Sequence, residues 1–286
     1  MAVITVQEGE SNSLPFTVSI VIPLYNQLAY TRMCLESIHT TVPEAVEIIL
    51  IDNASSDGTA EYLATLGGVS VIGNAENLGF AGACNQGIRA ATGEWIVVMN
   101  NDVLLSAGWL EGLWAAARRW DLDMVSPAIR EGERNYDIDS YARQLTSRMN
   151  GVIRRGRVSG ICFMTHNKVF DAIGVFDENF RIGQYEDKDL FLRAVMAGFK
   201  LGTVGSAFLH HFGSMTQKSI KGVSVVKSYA LENKAYFIRK WDLPWWKRAL
   251  NRNRERIVNR VHSVRERLLY GHTLMEKWID GRLHYE

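Results

Sequence analysis

Three short polar runs stand where the chain around them is apolar. Asn100, Asn101 and Asp102 follow Trp95-Ile96-Val97-Val98-Met99 and precede Val103-Leu104-Leu105. Glu186, Asp187 and Asp189 crowd together in "YEDKDL", ahead of an apolar helical pattern. His210 and His211 end the run "KLGTVGSAFLHHFGS". An ionised carboxylate such as Asp102 offers the oxygen that magnesium or manganese takes, and an imidazole such as His210 is a reasonable further ligand for manganese. Crowded carboxylates repel one another, which raises an individual pKa as a general base requires.

Each run also has an ordinary structural use. Asp102 can cap the helix expected around Trp109 to Arg118, and taken alone that is the commoner use of such a residue. Acidic residues in a helix's first turn interact well with its dipole. A lone histidine on an apolar strand usually packs in the core. Side chains alternate along a strand, however, so His210 and His211 cannot both point inward. One of them must face the strand edge or solvent.

The elements that position these residues follow from the hydrophobic pattern. "FTVSIVIPLYN" reads as a strand stopped by Pro23, "AYTRMCLESIHT" as a helix, and "VEIILIDNASSDGT" as a second strand breaking into turn formers. Thr59 to Leu66 begins another helix, "VSVIGN" is a third strand, "GFAGACNQGIRAA" a small-residue helix and "EWIVVMNN" a fourth strand. Strands alternating with helices predict an α/β fold, with a mostly parallel central sheet flanked by helices. Ligands of such sheets bind outside the carboxyl ends of the strands. Those ends carry Tyr25 and Asn26, Asp52 and Asn53, Asn74 to Asn77, and Asn100 to Asp102.

Between about Pro127 and Gly160 the pattern loosens, with "IRRGR" as a basic knot whose Arg154, Arg155 and Arg157 could, with Lys218 and Lys221, meet phosphate or simply be solvated. Beyond Met215 a helical, basic extension is expected. From Arg239 to Arg267 positive residues far outnumber negative ones, with Trp241, Trp245 and Trp246 among them. Such a helix can lie on an anionic membrane. Its aliphatic residues Ile257, Val261, Val264, Leu268 and Leu269 also have the spacing of a face that packs on its own domain or on a second subunit.

Bulk properties narrow the class. A chain of 286 residues, 47% hydrophobic, can bury a sizeable core. A net charge of +1 gives no electrostatic case for nucleic acid, and none is expected as a partner. Cys34, Cys84 and Cys162 have no metal-like spacing and read as reduced thiols. The leader "MAVITVQEGESNS" lacks the basic start and apolar core of a signal peptide, and no apolar run approaches a membrane-spanning length. A cytoplasmic location is expected, peripheral at the inner face of the membrane if the basic helix meets lipid. Neither a GxGxxG fingerprint nor a GxxxxGK[ST] loop is present, which weakens dehydrogenase and P-loop readings.

Taken in order, "VSIVIPLYNQ", "IILIDNASSDGT", "NLGFAGACNQGI", "VVMNNDV", "VFDENFRIGQYEDKDLFLRAVMAGF" and "AFLHHFGS" resemble a family 2 glycosyltransferase with the GT-A fold, above all the rhamnosyltransferase-like bacterial members that build surface polysaccharides. The resemblance implies a GT-A domain over residues 1–216, with a nucleotide-sugar half over about 16–126 and an acceptor half over about 127–216. Residues 217–286 would be the helical extension. It places Pro23, Tyr25 and Asn26 beside the nucleotide base, Asp52 on base or ribose, and Asn77, Gly79 and Asn85 along the nucleotide pocket. Asn100-Asn101-Asp102 takes the place of the family's Asp-x-Asp motif, with Asp102 and His210 holding Mn2+ or Mg2+. Asp187 matches the catalytic base, with Glu186 positioning acceptor or base.

The implied donor is a nucleotide-diphosphate sugar, of UDP or dTDP type rather than GDP. The acceptor is a glycan, a lipid-linked glycan or a protein. Asn100 departs from the acidic first residue of the metal motif, and Cys84 stands where many relatives carry an arginine. The Gln-x-x-Arg-Trp motif of processive relatives is absent, so one inverting transfer per encounter is expected. Two other readings compete. A sugar-nucleotide nucleotidyltransferase would need a Gly-rich, Lys-bearing loop that "VIPLYNQ" lacks, and a non-catalytic nucleotide-sugar-binding protein would not need Asp102 and Asp187 intact.

Overall fold

The computed structural model describes residues 16–42, 45–213 and 223–285; the leader and the lysines at 218 and 221 lie outside the described residues. Strand β1 (Val18–Leu24) and strand β4 (Trp95–Met99) are buried at every position. Apolar runs without alternation need cover on both faces, which is the environment of inner parallel strands. β2 (Glu47–Asp52) pairs parallel with β1, β3 (Ser70–Gly73) pairs parallel with β2, and β4 lies parallel on the other side of β1. The crossovers are α1 (Leu28–Thr41), α2 (Thr59–Leu63) and α3 (Gly79–Ala90). α3 lies tight on the sheet because Gly87 has no side chain: a Cβ there would come within 2.4 Å of Val21 Cγ1.

The remaining strands change the sheet's character. After β5 (Val103–Leu105) and α4 (Trp109–Trp120) come β6 (Met124–Gly132), α5 (Ile138–Met149), β7 (Ile153–Arg155) and β8 (Cys162–His166). α6 (Asn167–Ile173), α7 (Glu186–Met196) and the long β9 (Leu201–His211) follow. β8 sits antiparallel between β4 and β6, while β9 runs parallel to β6 and antiparallel to β5 and β7. The expected parallel order therefore holds for β3-β2-β1-β4, and the whole sheet is mixed. Regular strand–helix alternation stops at α4, although β9 and β10 still join β6 in parallel.

The extension departs further from expectation. α8 (Val223–Lys240) and α9 (Trp245–Tyr270) are helices, but the chain then forms β10 (Met275–Ile279) and β11 (Arg282–Tyr285). β10 adds parallel to β6, and β11 pairs back on β10 through Asp280-Gly281, both at positive φ. An Asp-Gly pair between short strands is a favoured hairpin turn. The end of the chain thus belongs to the central sheet.

The sheet separates two apolar layers. One holds Ile20, Ile22, Val97 and Met99 with α1 and α4, the other Val21, Ile49, Val98 and Phe163 with α3, α6 and α7. α9 is tied to this body by a buried ion pair: Arg154 donates from Nε and Nη2 to the two Glu266 oxygens, each at 2.8 Å. Glu266 also accepts from Leu274 N–H at 3.0 Å. Arg154 is thus committed to structure, in contrast to the phosphate or solvent role read from "IRRGR". Because removing one partner strands a buried charge, Glu266→Ala is expected to lower unfolding free energy by about 3 kcal/mol, measured by urea denaturation.

Candidate active site

At the carboxyl ends of β1 to β3, side-chain amides hold the loops to one another. Asn53 donates to Asn77 Oδ1 at 2.8 Å and to the Gly79 carbonyl at 3.2 Å. Its own Oδ1 accepts from Asn74 Nδ2 and from Leu78 N–H. Asn26 Oδ1 accepts from Ser56 N–H at 2.7 Å, and Asp52 Oδ1 from Ser55 N–H at 3.0 Å. Asn26 and Asp52, expected at the nucleotide base, each also hold a turn at these strand ends, and the buried Asn53 ties the end of β2 to the segment from Asn74 to Gly79. Asn85 departs most from expectation. It donates to the Phe176 carbonyl and Glu178 and accepts from Phe176 N–H, so a buried side chain expected to line a nucleotide pocket pins α3 to the loop before α7. Gly79 serves close packing: at φ +78°, its missing Cβ leaves room for the Ile182 backbone.

Asp102 follows β4 and is 2% exposed. It does not cap α4, whose N-cap is Gly108. Its partner is His211, whose Nε2 lies 3.2 Å from Asp102 Oδ1, while the other ring nitrogen lies 3.6 Å from Glu131. Burial works against a charged ring, but the Asp102 and Glu131 carboxylates outweigh it and hold the His211 imidazole at about 9. His210, expected beside Asp102, points to the other side of the sheet. There its Nδ1 meets Tyr136 OH at 2.8 Å, and burial, with the His211 and Arg130 charges, lowers it to about 4. Strand alternation permits only one of the two rings at Asp102, and it is that of His211.

The facing wall is the first turn of α7. Glu186 is almost fully buried, and Oε2 has no hydrogen-bond partner. Burial and the neighbouring Asp187 charge raise Glu186 to about 7. Burial also raises Asp187, which accepts from Lys188 N–H at 2.7 Å, a contact that favours its ionised form. Gly160 gives Asp187 its room, since a Cβ there would sit 2.6 Å from Asp187 Oδ2. Asp189 belongs elsewhere: wholly buried, it binds Arg193, Lys240 and the Trp241 indole N–H.

The loop before α7 is bent hard. Ile182, Gln184 and Tyr185 all have positive φ, at 63°, 80° and 77°, which costs on the order of 1–3 kcal/mol each. One residue of α8 offsets this. Asn233 accepts from Arg181 N–H at 3.0 Å and donates toward the carbonyls of Arg181, Gly183 and Gln184 at 2.9, 2.9 and 3.0 Å. Nothing in the motifs pointed to Asn233.

Together these walls enclose a cleft of about 380 Å³, a size that suits a small organic ligand. Of the expected residues, Pro23, Tyr25, Asn77, Asn100 and Asn101 line it, as do Asp102, Glu186 and Asp187. Asn26, Asp52, Gly79, Asn85 and His210 are not among its lining residues. Sequence reasoning missed Glu131, Phe80, Gly160 and Tyr229, which also line it. For Glu131 the signal would have been its place opposite His211 on adjacent strands. Among the described residues, no group of three or more His, Cys, Asp or Glu forms a ready-made metal cage. One carboxylate and one imidazole out of water fit a hard divalent cation whose remaining positions are filled by substrate phosphates, with the ring giving up the proton it holds beside Asp102 as the metal binds.

Comparison with known proteins gives the family and the fold. The family model for "Glycosyl transferase family 2" matches residues 19–178, more than half of the chain. N-acetylglucosaminyl-diphospho-decaprenol L-rhamnosyltransferase of Mycobacterium tuberculosis is 26% identical, over 92% of this chain and 98% of that protein. Among solved structures, mannosyltransferase PcManGT from Pyrobaculum calidifontis in complex with GDP-Man and Mn2+ aligns with a TM-score of 0.59 at 16% identity, over 83% of this chain and 67% of that one. GalNAc-T7 with UDP, GalNAc and Mn2+ aligns at 0.56 and 15% identity, over 78% of this chain; the chain spans 56% of its length. At such identities the likeness is one of fold, and that fold is GT-A.

Two consequences of the site are measurable. With Asn233→Ala, hydrogen exchange at residues 181–186 should accelerate at least tenfold while β1 and β4 keep their protection, because the loop loses its clamp. Glu186 keeps its proton in the folded chain above the pH at which the unfolded chain gives it up, so it costs stability as pH rises from about 4.5 to about 7. Glu186→Gln should therefore stabilise the protein by about 2 kcal/mol near pH 8 and by almost nothing below about pH 4, measured by urea denaturation at both pH values.

Proposed function

The chain belongs to glycosyl transferase family 2, and from that premise we propose that it is a non-processive, inverting enzyme that moves one sugar from a nucleotide-diphosphate donor to an acceptor hydroxyl. One observation carries the reading: Asp102 with His211, and Glu186 with Asp187, line the same cleft. The first pair suits the charged end of a donor, the second the arriving hydroxyl.

A divalent cation, Mn2+ or Mg2+, held by Asp102 and His211 together with the donor's diphosphate, would stabilise the negative charge that develops on the leaving phosphate. Opposite, Asp187 accepts the proton of the acceptor hydroxyl as its oxygen bonds to the anomeric carbon and the bond to phosphate breaks. Burial and the Asp187 charge raise Glu186 to about 7 and burial raises Asp187, which strengthens each as a proton acceptor once it is ionised. A single base and in-line displacement invert the anomeric configuration. Tyr25 and the hydrogen-bonded pair Asn53 and Asn77 supply the wall for the nucleotide, with UDP or dTDP preferred over GDP in this reading. The name of the mycobacterial relative supports a lipid-linked glycan as acceptor, and a role in surface glycan synthesis is part of the same proposal.

The test is transfer from a panel of UDP, dTDP and GDP sugars by the wild type and by Asp187→Asn, which keeps shape but cannot take the proton. Turnover should fall by about two to four orders of magnitude, while nucleoside diphosphate affinity by calorimetry should change little. Near-normal turnover in the variant would assign the base to Glu186. Donor binding without transfer by the wild type would leave a non-catalytic binder.

A further inference from the structure

α9 is amphipathic in the wrong direction for a helix that completes a core. The residues it turns to the domain are polar: Ser263 and Glu266 are buried, and Asn259 takes a hydrogen bond from Arg157 at 2.6 Å. Glu266 makes the ion pair with Arg154. Its aliphatic residues face out. Ile257, Val261, Val264 and Leu268 are 65%, 61%, 51% and 79% exposed. At 100° per residue they form one stripe, about a third of a turn from Ser263. The expectation that this stripe packs on its own domain is therefore not met.

Charge selects what can cover it. Arg260 and Arg267 run along one border of the stripe, and Arg254 and Arg265 along the other, all four exposed. Between Trp245 and Tyr270 eight Lys or Arg stand against two Asp or Glu. The 257-261-264-268 spacing would suit a coiled-coil seam. In a pair of such helices, however, the flanking positions would bring arginine against arginine, which opposes self-association. An anionic bilayer surface meets both demands: acyl chains take the aliphatic stripe and headgroups take the arginines.

We propose that this face of α9 docks the enzyme on an anionic lipid surface. The helix lies along the interface and does not cross it; among the described residues no helix is long and apolar enough to cross a membrane.

The test is sedimentation of the full chain with phosphatidylcholine vesicles and with mixed phosphatidylglycerol–phosphatidylcholine vesicles, together with its mass in solution by light scattering. The chain should pellet with the mixed vesicles only, and less at high salt. Arg260→Gln with Arg265→Gln should lower the partition coefficient roughly 25-fold, about fivefold for each charge. Val261→Gln with Leu268→Gln should abolish pelleting, with unchanged circular dichroism and nucleoside diphosphate affinity. Equal binding to both vesicle types, or to neither, overturns the proposal. So does a dimer in solution that the Val261/Leu268 variant turns into a monomer, since the face would then be an interface between copies of the chain. No sugar takes part, so failure here leaves the transfer reading untouched.

Discussion

The Asp102 carboxylate and the His211 ring face each other across 3.2 Å with almost no water around either. Neither tolerates that isolation alone, because a buried charge without a partner costs several kcal/mol. Three strands must cooperate to bring them together. β4 delivers Asp102 just past its end, β9 delivers His211, and β6 sets Glu131 beside the ring. β9 runs in the same direction as β1 and β4, between β6, which is parallel to it, and the antiparallel β5, and so it ends level with Asp102.

The opposite wall is built from energies that oppose folding. Two carboxylates stand side by side, Glu186 buried and Asp187 half-buried, and three residues of the preceding loop hold left-handed backbone angles. Sites that store strain need a scaffold that over-determines them. α8 provides it through the Asn233 clamp on the loop and through Lys240 and Trp241 on Asp189. α8, with Trp241 just past its end, is thus a structural requirement of the acidic wall.

Much of this was legible in the sequence. The strand–helix alternation announced the first four strands, and the polar strand ends announced the edge where the cleft lies. The choice between His210 and His211 was not legible. Alternation said that only one could face the edge, but the β6–β9 register shifts between Pro127 and Ala128, so counting along the strand does not fix its side. Asn85 sits in the right segment and spends its hydrogen bonds on the fold, through a loop partner 91 residues away that no local pattern shows. The final strands escaped notice because they are short and follow a long helical pattern, although Asp280-Gly281 marked their turn.

In the proposed reaction, Asp102 and His211 are the place where donor phosphate charge is met. A crystal of the full chain grown with Mn2+ and a nucleoside diphosphate, with data collected at the manganese edge, tests it. The expected anomalous peak lies about 2.1 Å from an Asp102 oxygen and from His211 Nε2, with diphosphate oxygens completing the shell. Manganese beside His210, or held by phosphate alone with Asp102 and His211 still facing each other, would contradict it.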